Sequence, residues 1–222
     1  MDVLETLRQG LSVYCESGIG LFSTQPINTI SNIAIFISAY SVYQLIKIRH
    51  IKNQIIRVLP LLVVLIGVGS ILWHGIPNLL TSFADTLPIS VLAIVSFFFL
   101  LNKLLTNKGL VLGIFLLFIL IEVPFILGIL PSFNGFIPYL LVFIFGTFVS
   151  VGVARMYNLL AQLVPVVIIF AIALLFRTID TTICPTFPIG THFIWHILNA
   201  FAFYWLIRFL VEIEKNQGID KM

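Results

Sequence analysis

The sequence predicts an all-α integral membrane protein, a bundle of seven transmembrane helices with its N-terminus outside and its C-terminus in the cytosol. Three observations predict it. Of 222 residues, 60% are hydrophobic and only 9% are charged, and the mean hydropathy is +1.14. Seven apolar stretches can each cross a hydrocarbon core of about 30 Å, which takes roughly 20 residues at about 1.5 Å of rise. The basic residues, finally, gather in alternate loops, as retention of Lys and Arg on the cytosolic side requires.

Residues 1–25 form an exofacial segment ahead of the first helix. Asp2, Glu5 and Glu16 stand where a signal peptide would have a basic start and an apolar core. Val3, Leu4, Leu7 and Leu11 share one helical face, which fits either a short amphipathic helix on the outer membrane surface or a solvated tail. The helices are expected at about Pro26–Ile48, Ile55–Trp73, Asp85–Asn102, Leu110–Leu130, Phe136–Val153, Leu159–Thr178 and Phe187–Leu210, divided by Gly-, Pro- or Lys-containing breaks. The loops are too short for a second domain, so residues 1–222 read as one membrane domain.

Lys47, Arg49, Lys52 and Arg57 occupy the first inter-helix loop, Lys103 and Lys108 the third, Arg155 the fifth, and Arg208, Lys215 and Lys221 the C-terminal end. Only Arg8 and Arg177 fall on the other side. The net charge of +3 therefore reports topology and does not point to nucleic acid.

This topology brings three histidines to one depth in the outer leaflet. His74 ends helix 2, and His192 and His196 lie one turn apart at the start of helix 7. Ser70 is one turn before His74, and Asp85 opens helix 3 at the same level. His50 belongs to the basic cytosolic loop. Imidazole and carboxylate groups are costly in hydrocarbon unless they face a cavity, a partner or a metal, although ordinary interhelical hydrogen bonds would satisfy any one of them. Three nitrogens plus a water is the open tetrahedral arrangement of hydrolytic zinc, and the scarcity of cysteine argues against iron–sulfur or copper(I).

Three segments resemble the alkaline ceramidases, seven-helix zinc amidases of the superfamily that also holds the adiponectin and progestin receptors and GPI-lipid remodelling proteins. Tyr14-Cys15-Glu16 followed by NTISN at Asn28–Asn32 is similar to the family's N-terminal signature. GSILWH, followed by ADTLPI, matches its Ser-x-x-x-His and Asp-x-Leu-Pro pattern, and RTIDTTICP with THFIWHIL matches its Asp-x-x-x-Cys and His-x-x-x-His block. The resemblance implies that His74, His192 and His196 hold Zn²⁺, that Asp85 bonds the metal-bound water, and that Ser70 stands beside the reacting carbonyl. In such a scheme zinc brings the pKa of its water to about 7. Asp85 takes the proton and returns it to the departing amine, while Ser70 donates to the oxyanion. The substrate class implied is ceramide, a membrane lipid, cleaved to sphingoid base and fatty acid.

One departure matters. Where family members carry an acidic calcium-binding stretch and a Glu near the start of helix 1, this sequence has Val13, Tyr14, Glu16, Gly18 and Gln25. Ca²⁺ prefers six to eight oxygen ligands, several of them charged, so a calcium site is expected to be absent or weak.

Cys15 and Cys184 both fall on the outer side, where an oxidising compartment would let them pair; two free thiols are the alternative. Metal-bound histidines donate their other nitrogen to a nearby acceptor, for which Asn28, Asn32, Asp180 and Asn199 are candidates, with structural interhelical bonds as the competing use. Arg177 is expected to pair with Asp180 or Glu122. Trp73 and Trp195, each preceding a ligand histidine, fit either a pocket wall or an interfacial belt. Alternatives to ceramide hydrolysis are zinc-dependent hydrolysis of glycerolipid or GPI esters, and a seven-helix receptor or transporter with structural zinc. Retinal binding is disfavoured because the expected helix 7 contains no lysine.

Overall fold

The computed structural model describes residues 14–16, 24–126, 129–130 and 136–219. The amphipathic helix considered for the first residues lies outside them. Seven helices among the described residues are long and apolar enough to cross a membrane. Helix α1 spans Pro26–Ile48, in two segments that meet at Asn32. It is followed by α2 (Gln54–Gly75), α3 (Leu79–Leu104), α4 (Lys108–Ile126), α5 (Phe136–Met156), α6 (Leu160–Ile183) and α7 (His192–Ile219).

Neighbours pack α1–α2–α3–α5–α6–α7 and back to α1, while α4 lies outside this ring against α3 and α5. The main core fills the ring with Leu59, Val63, Leu101, Val153, Ile207 and Leu210, all nearly inaccessible. Lipid-facing positions such as Leu61, Leu80, Leu120 and Phe148 stay exposed, which is the ordinary outcome where hydrocarbon is the solvent. At the end of the bundle away from the histidines, Arg49 pairs with Glu212 at 3.0 Å and Lys103 with Glu214 at 2.9 Å. Those contacts tie α1 and α3 to the last turns of α7.

Several helix ends differ from the sequence-based expectation, and the starts of α3 and α7 have a local cause. Helix α3 begins at Leu79, six residues before Asp85, because Asn78 and Thr81 form a reciprocal cap: the Asn78 side chain accepts from Thr81 N and the Thr81 hydroxyl accepts from Asn78 N. Asp85 therefore sits in the second turn and does not open the helix. Helix α6 runs on to Ile183 and so includes Asp180. Helix α7 starts at His192, five residues later than expected, since Pro185, Pro188 and Gly190 keep the preceding chain in turns. Gly190 has φ of +69°, and a Cβ there would collide with Asp180 Oδ1 and Cys15. At its other end α7 continues to Ile219 and takes in Lys215, which is exposed and far along the helix from the histidines.

Candidate metal centre

Helix α1 begins at Pro26, a residue suited to a first turn where no partner for its nitrogen is needed. The Glu16 carboxylate supplies the cap, accepting from Ile27 N at 2.7 Å and Asn28 N at 2.8 Å. Just ahead of it, Thr24 N and Gln25 N donate to the carbonyls of Gly75 and His74, at 3.2 and 3.0 Å. The entry to α1 is thereby fastened to the end of α2, beside His74.

His74, His192 and His196 are all buried, and one ring nitrogen from each lies within 4.8 Å of the other two. The ring centroids are 4.7 Å apart for His74–His196 and for His192–His196, and 5.1 Å apart for His74–His192. Hydrogen bonds decide which nitrogens face one another. His74 Nδ1 donates to Gln25 Oε1 at 2.6 Å; that oxygen also takes Asn28 Nδ2 at 3.0 Å. His196 Nδ1 donates to the Asn28 carbonyl at 3.0 Å and meets Ser31 Oγ at 2.7 Å, whose own proton goes to the same carbonyl. An acceptor on Nδ1 places the proton there, leaving Nε2 of both rings as the lone-pair nitrogen. Asn32 Nδ2 donates to the Asn28 carbonyl as well, at 2.8 Å. Asn28 is thus the hub of the support.

His192 is held differently. Its backbone N, with that of Thr191, donates to Asp180 Oδ1 at 2.9 and 2.6 Å, and Asp180 Oδ2 accepts Cys15 N at 3.0 Å. Tyr14 lies on the His192 ring with centroids 3.8 Å apart, and 5.2 Å from His74. Trp73 reaches the Tyr14 side chain, and burial pushes the Tyr14 phenol above its usual pKa. Cys15 and Cys184 are joined by a disulfide, with Cα atoms 5.1 Å apart, which pins Tyr14 over the histidines.

The donor set fits a metal ion. His192 Nδ1 is buried and has no hydrogen-bond partner among the described residues, an arrangement that is costly for a polar atom unless a ligand takes its lone pair. Zinc holds imidazole nitrogens at about 2.0–2.1 Å, and three ring nitrogens within 4.8 Å of one another are grouped closely enough to be candidate ligands of one ion. Both cysteines are in the disulfide, leaving an all-nitrogen site.

Ser70 and Asp85 meet beside it. Ser70 is buried one turn before His74 on α2, and its side chain neighbours that of Asp85 on α3. Gly69 makes this contact possible: a Cβ there would run into the Ala84 carbonyl and Asp85 N, so α2 and α3 approach at a distance only glycine permits.

Other expected contacts fall elsewhere. Among the described residues Asp180 receives no histidine ring nitrogen; its oxygens accept the backbone amides of Cys15, Thr191 and His192. Glu122 Oε1 has no hydrogen-bond partner among the described residues. The Arg177 guanidinium lies over the rings of Tyr139 and Trp195, at 4.9 and 5.6 Å. Asn199 Nδ2 turns back onto the Trp195 carbonyl at 2.8 Å, within its own helix. Trp195, 6% exposed and packed against Tyr139 and Phe170, is an interior residue and not part of an interfacial belt. Sequence reasoning missed Gln25 and Tyr14. The available signals were weak: Gln25 is three positions before Asn28, and Tyr14 adjoins Cys15.

The sequence profile of the family described as Ceramidase matches residues 14–220, from Tyr14 at the metal centre to the end of α7. The chain belongs to the ceramidase family. Membership implies a hydrolase acting on ceramide, and the three-histidine group could hold a metal ion. No curated protein matches the chain. For a ceramidase, the placement of the centre is apt: the histidines lie at the ends of α2 and α7, within the depth of the apolar spans that carry them.

Proposed function

We propose that this ceramidase-family chain is a zinc-dependent intramembrane amidase that cleaves ceramide-like lipids to a sphingoid base and a fatty acid. The observation that carries the reading is the convergence of three buried imidazoles, two of them oriented through Nδ1, with Ser70 and Asp85 as neighbouring side chains on α2 and α3. His74, His192 and His196 would hold Zn²⁺, which when bound supplies a Lewis acid and an activated water. Asp85 accepts a proton from the attacking water and delivers it to the amine as the C–N bond breaks. Ser70 donates to the carbonyl oxygen where negative charge develops. Gln25, Asn28 and Ser31 hold the rings of His74 and His196 in register throughout.

The rest of the reading follows the same residues. The Glu16 carboxylate is committed to the amides of Ile27 and Asn28, and Gln25 to His74, which supports function without a calcium ion at that position. The histidine end faces away from the basic end of the bundle, in keeping with an exofacial site, an outside N-terminus and a Cys15–Cys184 bond made in an oxidising compartment. The deciding experiment pairs metal analysis with a lipid panel on purified protein. About one zinc per chain and release of fatty acid from ceramide are expected. Faster cleavage of ester lipids would move the chain to the esterase reading, and a zinc-loaded protein inert to amides and esters alike would make it a receptor.

A further inference from the structure

We infer that the face shared by α1 and α2 holds an anionic phospholipid of the leaflet at the basic end of the bundle, one acyl chain in a groove and the phosphate between Lys47 and Arg57. The groove, of about 290 Å³, is lined by Phe36, Tyr40 and Tyr43 of α1 and by Pro60, Leu61 and Val64 of α2. On each helix these residues recur at intervals of three and four, so each set marks one face. Tyr40, Tyr43 and Leu61 are 64, 52 and 60% exposed, so the groove opens outward from the bundle. Both helices are membrane spans, and what meets such a surface is lipid. At its far end the groove is closed by the Phe36 ring, which lies so near Gly67 that a Cβ there would stand 2.9 Å from it.

Each face of the groove continues into a cation. Lys47 is one turn beyond Tyr43 on α1, and Arg57 is one turn before Pro60 and Leu61 on α2, both towards the basic end. The contact of Phe36 with Gly67 sets the register of these antiparallel helices. Counted from it, Tyr43 comes opposite Pro60, and Lys47 within one residue of Arg57. The two cations therefore stand at one level, about 6 Å beyond Tyr43 at roughly 1.5 Å of rise per residue. Both side chains are exposed, and no salt bridge engages either among the described residues. Their apolar stems can lie along the helices while the charges reach the headgroup layer. An apolar groove with two cations at its mouth complements one molecule that carries both a hydrocarbon chain and a phosphate. A second copy of this chain, docked here about a twofold axis, would set Lys47 and Arg57 against their own like charges. The occupant is therefore a lipid and not a partner helix.

Native mass spectrometry of the purified full chain, equilibrated in detergent with equal amounts of palmitoyl-oleoyl phosphatidylglycerol and phosphatidylcholine, reads the bound lipid directly and requires no turnover. Wild type is expected to retain one phosphatidylglycerol, preferred over phosphatidylcholine by at least about tenfold. Lys47→Gln combined with Arg57→Gln should abolish that preference. Lys52→Gln combined with Arg155→Gln removes as much charge from the same end of the bundle, away from the groove, and should keep it. Leu61→Trp fills the groove with both cations in place and should lower phosphatidylglycerol retention about tenfold. No preference in wild type, equal loss in the two charge variants, or full retention in Leu61→Trp overturns the assignment, as does a dimer in place of the lipid adduct. Should the Lys47, Arg57 double variant fail to fold, the single variants decide: each is expected to lower the preference about threefold, and no change in either refutes the site.

Discussion

The side-chain carbonyl of Gln25 accepts a hydrogen bond from Nδ1 of His74 at 2.6 Å, across 49 positions of sequence. The same oxygen takes Asn28 Nδ2, and the Asn28 carbonyl takes His196 Nδ1. Two histidines from different helices are thus oriented by one short stretch at the start of α1. A neutral amide, not a carboxylate, thus holds the ring of a candidate metal-site histidine.

Replacing Gln25 should accordingly be felt at the metal. Gln25→Ala is expected to weaken zinc binding about 10–100-fold in chelator competition, as loss of a histidine's hydrogen-bond acceptor does elsewhere. Gln25→Glu, which keeps an acceptor at the same reach, should retain it. Equal affinity in wild type and Gln25→Ala would show that the bond does not orient His74.

Metal binding and turnover should separate at Asp85. His196→Ala is expected to lose both zinc and activity, whereas Asp85→Ala keeps most of its zinc and loses about 10²–10⁴-fold in rate. Elemental analysis beside ceramide hydrolysis reads the two effects. An active Asp85→Ala would remove the proposed base.

Close approach of α2 and α3 makes Gly69 sensitive. Gly69→Ala drives a methyl into the Ala84 carbonyl and should cost about 1–3 kcal/mol or more, while breaking the Ser70–Asp85 contact. Gly113→Ala on α4 meets nothing within 4 Å and serves as the control. Thermal unfolding in detergent should drop for the first and hold for the second.

The Cys15–Cys184 bond, spanning 169 positions, should keep Tyr14 on His192. In the Cys15→Ser, Cys184→Ser double variant, limited proteolysis is expected to cut between Tyr14 and Pro26 faster than in wild type. Unchanged cleavage would mean that the Asp180–Cys15 and Glu16–Asn28 bonds suffice.

Calcium should have no effect. Addition of Ca²⁺ or of a calcium-selective chelator is expected to leave ceramide hydrolysis unaltered, since Glu16 already serves two backbone amides. Stimulation by Ca²⁺ would contradict this.

Hydropathy along the sequence determined the seven spans, because a helix in lipid must be apolar over its own length whatever surrounds it. Helix spacing likewise placed His192 with His196 and Ser70 with His74, since residues one turn apart share a face. Only the tertiary structure decided which helix ends meet, and with it the finer chemistry. Asp85 joins Ser70 because Gly69 lets two backbones close; Asp180 serves three backbone amides from separate segments; Arg177 lies on rings from α5 and α7. Gln25 and Tyr14 were illegible for the same reason. Local periodicity describes a helix's own faces, and these residues act through partners that other helices bring within a few ångströms.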